Sequence, residues 1–509
     1  MSALRTFGGV LFNRFSGKLA KNNHGFFNDR RLRLNQLFQV SSYFGARNNN
    51  VYLSTDATKK KEKTDSLLAM DPNRFAGHLQ KLGIKRCFVV WDFEEGKVLV
   101  SHPELEELAQ FCAADKVNFD EHEGVFMEVG RRTGVLMGAF VWRTYRGQAC
   151  GGIRLWNYPG MDRYLTDGLR LAQGMGVKSA LAGLWAGGGK GVVQEPMHNK
   201  HRDPSFRQNM FFDYGDFLSS LNGCYVSAED VGLNVNDLNN VMQRTRYTTC
   251  ISEELGGSGN PSILTGKGVV CAMEAALDFL SMGTLKEKTV AIQGAGNVAL
   301  VIIETLLEKG VKYIYVTECH QNRVDDMKRV LADKANGRLE IQKVPIDDTS
   351  IMSYNCDILS PCALGGILNE DTIPQISASI VCGAANNQLG CPEDNQLLKE
   401  RGITYIVDYV ANRMGIVNCA NETYGRLPDD PAITRHLGRD WDNSVFKITK
   451  EILQKAEKED VTPVEAADVL ADKASRELHP IWPHRSQQII KALVAGGWHR
   501  GNNIYGSPS

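Results

Sequence analysis

The chain has 509 residues, 58 Lys and Arg against 59 Asp and Glu, a formal net charge of −1 and 43% hydrophobic residues. That length supports two or three domains with a large buried core. A near-neutral balance with no extended basic face in the body argues against a nucleic-acid partner, and no apolar run reaches the roughly eighteen residues of a membrane span.

Twelve cysteines are scattered from Cys87 to Cys419 and never form a Cys-x-x-Cys pair. Neither a metal site nor a disulfide framework is expected. Residues 1 to 55 set Arg5, Arg14, Lys18, Lys21, Arg30, Arg31, Arg33 and Arg47 against one acid, Asp29. Leu4, Phe7, Leu11, Phe15 and Leu19 recur there at helical spacing. A basic, amphipathic, acid-poor N-terminus reads as a mitochondrial presequence and a matrix location, with a disordered basic tail on a cytoplasmic protein as the alternative. The polar run 56 to 65 reads as a linker.

Ordered structure is expected from near Asp71, with Pro72 opening a helix to Leu82. A hairpin over 87 to 93 and 97 to 101 follows, then a helix after Pro103. From Phe119 to Ile153 the pattern is that of strands, ending at Cys150, Gly151 and Gly152. Residues 161 to 175 read as an amphipathic helix.

That helix delivers the chain into GMGVKSALAGLWAGGGKG, residues 174 to 191, with Lys178 and Lys190 at the ends of an uncharged, small-residue stretch. A lysine in such surroundings either reaches out to water or sits desolvated with a lowered pKa, suited to catalysis. Gly187–Gly189 would let backbone amides face an anionic ligand, or would be only a tight loop. A helix over 206 to 221 precedes CYVSAEDVG. There Glu229 and Asp230 follow an apolar strand, where α/β active sites collect side chains.

The second motif is TVAIQGAGNVALVIIETLLEKGVKYIYVTE, residues 289 to 318. It contains a strand, Gly294-x-Gly296-x-x-Ala299, a helix closed by Gly310, a second strand and Glu318 at its end. Gly294 permits the tight turn, Gly296 lets a pyrophosphate approach the helix N-terminus, and Ala299 allows close helix–strand packing. Glu318 is placed to accept from ribose hydroxyls and to repel a 2′-phosphate, which favours NAD over NADP. Further α/β strands are expected over 356 to 362, 379 to 389 and 403 to 415. Tandem Asn386 and Asn387 fit either a nicotinamide-ribose or substrate contact or a turn. Cys362 reads as a core or loop thiol rather than a nucleophile. Residues 440 to 475 read as helical, and Pro480, Trp482 and Pro483 then introduce a C-terminal tail that ends in polar, Gly-rich residues.

With these motifs the chain resembles the glutamate/leucine/phenylalanine/valine dehydrogenase superfamily, and its leucine dehydrogenase-like branch most closely. The resemblance is carried by GGIRLW (151 to 156), the lysine stretch, SAEDVG (227 to 232), GSGNPSILTGKGV (257 to 269), GAGNVA (294 to 299), CDILSPCALGGILNEDTIPQI (356 to 376) and GAANNQLG (383 to 390). It implies NAD-dependent oxidative deamination of an L-amino acid in a homo-oligomer. On matching positions, Lys178 would hold the substrate carboxylate with the Gly151–Gly152 backbone. Lys190 would be the base that activates water, and Asp230 would shuttle protons at nitrogen.

Thr265 and Asn386 would position the cofactor, with Gly294, Ala295, Gly296, Asn297, Val298, Ala299, Glu318 and Ala363, and Asn387 would face the substrate. Glutamate dehydrogenases resemble the chain too, but carry a lysine before the Gly-Gly pair where this chain has Cys150. With Cys150 and Ala228 lining the pocket, an apolar side chain is expected. Trp185 and Met414 depart from the family's small residues. The implied fold class is α/β with two domains: an α/β substrate domain over 66 to 250 and a Rossmann NAD-binding domain over 251 to 439. Residues 440 to 509 would return to the substrate domain and end in a tail. The rival readings are a glutamate dehydrogenase and a catalytically silent NAD-binding protein.

Overall fold

A computed structural model describes residues 66 to 501 apart from 424, 426 and 428. The presequence and linker expected over 1 to 65 lie outside the described residues. Asp71 caps the helix Pro72–Lys81 by accepting from the Asn73 and Arg74 amides, and the expected hairpin follows.

The first sheet contains β1 (Arg86–Asp92), β2 (Lys97–Val100), β3 (His122–Val129), β4 (Leu136–Trp142), β5 (Ala149–Trp156), β6 (Gly187–Gln194) and β7 (Tyr225–Glu229). Their order is β2-β1-β3-β4-β6-β5-β7, antiparallel up to β6 and parallel from β6 through β5 to β7. β3 and β4 are buried along their whole length, as a sheet covered on both faces requires. Period-two alternation sends Met127, Phe140 and Trp142 into one core with Leu165 and Leu169 of the helix Met161–Leu181. Phe126, Ala139 and Val141 point the other way, into the core that includes Phe211 and Phe217 of the helix Pro204–Ser220.

Two elements differ from the sequence reading. Gly187–Gly189 is neither a ligand-facing loop nor a free turn: it is the start of β6, at the middle of the sheet, paired with β4 and β5. The glycines answer to packing. A Cβ on Gly188 would run into the Ala172 carbonyl of the covering helix, and one on Gly189 would stand 2.7 Å from the Tyr225 ring. The segment after Pro480, expected as a tail, is folded over its described residues. It forms the helix Arg485–Ala495, and Trp498 beyond it is 1% exposed with its indole N–H on Ser220 Oγ at 3.0 Å.

The second sheet is wholly parallel: β8 (Thr289–Gln293), β9 (Tyr313–Glu318), β10 (Leu339–Lys343), β11 (Ile358–Pro361), β12 (Ile380–Val381) and β13 (Thr404–Tyr405). Its order, β10-β9-β8-β11-β12-β13, is the doubly wound Rossmann order, which reverses between β8 and β11. The helix Val445–Glu459 packs on the helix Ser262–Phe279 beside this sheet, and Pro463–Ser475 packs on Met161–Leu181, so the C-terminal helices bind both halves. Among the described residues no helix is long and apolar enough to cross a membrane.

Candidate active site

Lys190 lies in β6 opposite Phe140, and Asp230 directly follows β7. The Lys190 Nζ donates to Asp230 Oδ2 at 2.7 Å, and the lysine is 3% exposed. Burial holds its ammonium below the usual lysine range, against the opposing pull of Asp230. Burial pushes the Asp230 carboxyl up, but Lys190 and Arg154 together outweigh it and hold the group below the usual carboxylate range. The result is a desolvated amine of reduced basicity hydrogen-bonded to an ionised carboxylate.

Gly151 and Gly152 sit in β5 between these two strands. A Cβ on Gly151 would collide with the Gly189 carbonyl, and one on Gly152 would stand 2.6 Å from Asp230 Cβ. The pair is thus required by strand packing around the catalytic candidates. Cys150 precedes it, with burial pushing its thiol up to about 12, so it is a neutral group. Ala228 pairs with Gly152 across β5 and β7 and is buried in the adjoining core.

Lys178 is one turn from the end of the helix Met161–Leu181 and reaches the other half of the molecule. Its Nζ donates to Asn412 Oδ1 at 2.6 Å, and Asn412 Nδ2 donates to Asn386 Oδ1 at 2.8 Å. Burial brings the Lys178 ammonium down to about 8, with Asp408 pulling the other way. Asn387 occupies a left-handed turn at φ 52, its amide donating to Asp408 Oδ2 at 2.5 Å and its side chain exposed. One asparagine of the tandem therefore makes the turn while the other faces the lysine through Asn412.

At the nucleotide end, Gly294 has φ 92, and a Cβ there would stand 2.9 Å from Ala363 Cβ, across the gap where the strand order reverses. Gly296 caps the helix Asn297–Glu308, and the direction its Cβ would take is open for 4 Å. Asn297 is exposed, Val298 half-buried and Ala299 buried against the sheet. Ala295 donates its amide to Glu318 Oε2 at 2.8 Å. Burial pushes the Glu318 carboxyl up, and the Ala295 and His320 amides more than reverse this, so it is ionised. Thr265 is buried in the helix Ser262–Phe279, its hydroxyl donating to the Pro261 carbonyl at 2.9 Å. Cys362 lies beside Ser360, and burial pushes its thiol up.

Sequence reasoning missed two groups of residues. Asn412 links Lys178 to Asn386, and Arg154 donates to Asp230 Oδ2 at 3.3 Å. Arg154 lies within GGIRLW, but nothing local marks which carboxylate it meets. Of the departures, Trp185 lies outside the site, stacked over Arg146 at 4.3 Å, and Met414 is buried 2.6 Å from where a Cβ on Gly268 would be.

Comparison with known proteins finds two family models: residues 127–247 match Glu/Leu/Phe/Val dehydrogenase, dimerisation domain, and residues 256–479 match Glutamate/Leucine/Phenylalanine/Valine dehydrogenase. The leucine dehydrogenase of Geobacillus stearothermophilus is 36% identical over 69% of the chain and 90% of its own length. The valine dehydrogenase of Streptomyces coelicolor is 36% identical over 70% and 93%. The L-tryptophan dehydrogenase structure from Nostoc punctiforme is 31% identical, covers 70% of this chain and 96% of its own, and superposes with a TM-score of 0.57. These matches overturn the expected mitochondrial location. The relatives come from bacteria, cells without mitochondria, and a basic, acid-poor stretch has the composition of a plain basic tail as much as of a presequence.

Proposed function

The chain belongs to the glutamate/leucine/phenylalanine/valine dehydrogenase family, and we propose that it converts an apolar L-amino acid, NAD⁺ and water into the 2-oxo acid, ammonium, NADH and a proton. It is an amino acid dehydrogenase, an oxidoreductase acting on the CH–NH₂ group with a nicotinamide cofactor. The observation that carries the reading is the buried Lys190–Asp230 contact at 2.7 Å, with a second lysine, Lys178, of reduced basicity close enough to be affected by both.

The residues after β8 fit a dinucleotide. The open side of Gly296 at a helix N-terminus suits a pyrophosphate, and ionised Glu318 at the end of β9 suits ribose hydroxyls and disfavours a 2′-phosphate. Gly294 to Ala299, Glu318, Ala363, Thr265 and Asn386 would hold it, and when bound it accepts the hydride from the substrate Cα. The chain's own residues do the rest. Lys178, protonated, binds the α-carboxylate and turns Cα toward the Rossmann half. Asp230, ionised, takes a proton from the substrate nitrogen. Lys190, once neutral, takes a proton from the water that adds to the iminium carbon, returns it to the nitrogen of the carbinolamine, and takes the hydroxyl proton as the carbonyl forms and ammonia leaves.

The substrate side chain would lie near Cys150 and Ala228. A neutral thiol and a methyl offer nothing to a γ-carboxylate, whose burial without a cation is costly, so leucine-like or aromatic side chains are preferred. The substrate domain would span 66 to 250 and the nucleotide domain 251 to 439, with residues 440 to 509 returning to the former. Assembly into a homo-oligomer accords with the dimerisation-domain match. The test is a product balance. The purified protein with leucine and NAD should release 2-oxo acid, ammonium and NADH in equal amounts. Turnover with NADP alone would overturn the cofactor assignment, and turnover of glutamate alone would overturn the substrate assignment.

A further inference from the structure

Asp230 Oδ2 accepts two cations, Lys190 Nζ at 2.7 Å and Arg154 Nε at 3.3 Å. Arg154 lies within β5, two residues after Gly152, and is held from its far side. Its Nη1 donates to Asp167 Oδ1 at 3.3 Å and Oδ2 at 3.2 Å, and the Tyr158 hydroxyl donates to the same Asp167 Oδ2 at 2.6 Å. Asp167 belongs to the helix Met161–Leu181, the helix that carries Lys178. A continuous polar chain therefore runs from Tyr158 through Asp167 and Arg154 to Asp230 and Lys190.

A lysine that works as a base must spend part of each cycle neutral. If Lys190 were the sole partner of Asp230, its deprotonation would strand a buried carboxylate without a counter-charge, and the pair would resist separation. A guanidinium does not lose its proton in this pH range. We propose that Arg154 is a positioning residue of this site, spanning Asp167 and Asp230 so that the Asp230 carboxylate stays paired and held in place when Lys190 gives up its proton. The inference rests on the dehydrogenase reading for its catalytic meaning, and on the geometry alone for the pairing.

The charged and titratable groups around the pair are few. Asp167 joins Asp230 and Arg154 about Lys190, and Lys178 stands near enough to be felt by it. Glu229 and Tyr225 of β7 adjoin Asp230. Arg154 opposes protonation of Lys190 and Asp167 favours it. Removing one or the other must move the Lys190 titration in opposite directions. Arg154→Gln should shift the acid limb of the kcat/KM profile to higher pH by about one unit or more, and Asp167→Asn should shift it to lower pH. Arg154→Lys, which keeps the charge, should hold the limb near its original place.

The experiment is the pH profile of the three variants in the full-length protein, paired with reductive methylation of Lys190 by formaldehyde and cyanoborohydride, read by peptide mass spectrometry across pH. Opposite shifts in the two readouts are the expected result. A uniform loss with an unmoved limb, or shifts of the same sign, would overturn the proposal. If Arg154→Gln does not fold, Asp167→Asn and Arg154→Lys decide it by the same signs. Absence of any amino acid turnover in the unmodified protein would overturn the dehydrogenase reading, and the methylation profiles would then decide the placement of Arg154 by themselves.

Discussion

Gly152 and Asp230 are packed so closely that a Cβ on Gly152 would stand 2.6 Å from Asp230 Cβ and 2.8 Å from the Glu229 carbonyl. The carboxylate reaches Lys190 because the neighbouring strand carries no side chain there. Gly152→Ala should push Asp230 out of line. A misplacement of about 1 Å costs about 100-fold in rate, and overpacking costs about 1–3 kcal/mol in stability. Steady-state kinetics and thermal melting check both, and a kcat close to that of the unmodified protein would contradict the packing argument.

Among the described residues, Asn412 hydrogen-bonds both Lys178 and Asn386, joining the lysine to the other half of the molecule. Asn412→Ala leaves the Lys178 ammonium without that acceptor, and charge-assisted hydrogen bonds contribute about 1.5–3 kcal/mol. The KM for the amino acid should rise about tenfold or more, with a smaller effect on kcat. An unchanged KM would show that Lys178 is aimed by other contacts.

Lys178 also links stability to pH. Its folded value of about 8 lies below the ordinary 10.5, so the unfolded chain binds more protons between those values. Stability should therefore rise with pH through that window, and the full cost of the buried charge should be present below it. Lys178→Met should be more stable than the unmodified protein by about 1–3 kcal/mol at neutral pH, with the advantage shrinking as pH approaches 10.5. Urea unfolding at several pH values measures this, and a difference that does not vary with pH would contradict it.

On the proposed reading, Glu318 sets the preference between the two nicotinamide dinucleotides. Glu318→Ser removes the charge that repels a 2′-phosphate and the acceptor of the Ala295 amide. The ratio of kcat/KM for NADP over NAD should rise about tenfold or more, most of it from weaker use of NAD. An unmoved ratio would place the discrimination elsewhere.

The dinucleotide motif was legible because its glycines, its helix and Glu318 occupy one continuous stretch whose local geometry follows from residue type. Lys178 and Lys190 stand out as charges in small, apolar surroundings, whereas Glu229 and Asp230 both follow the strand and only the family resemblance singles out Asp230. Arg154 with Asp167, and Asn412 with Lys178, were hidden because their partners meet only after the chain has folded. Gly187–Gly189 misled because three glycines read as a turn. They form a strand because a helix and Tyr225 press on them too closely for any side chain. The helix Arg485–Ala495 was obscured by Pro480 and Pro483 just before it, although Ile490 and Leu493 fall on its buried face.

The most direct test compares the unmodified protein with Lys190→Ala for the appearance of reduced nicotinamide in the presence of leucine, valine, phenylalanine, tryptophan and glutamate. The account predicts turnover of an apolar amino acid that falls by at least about 1,000-fold in the variant, the loss expected when a general base and its stabilising charge are removed together. Turnover confined to glutamate, or a variant that retains its activity, would contradict it.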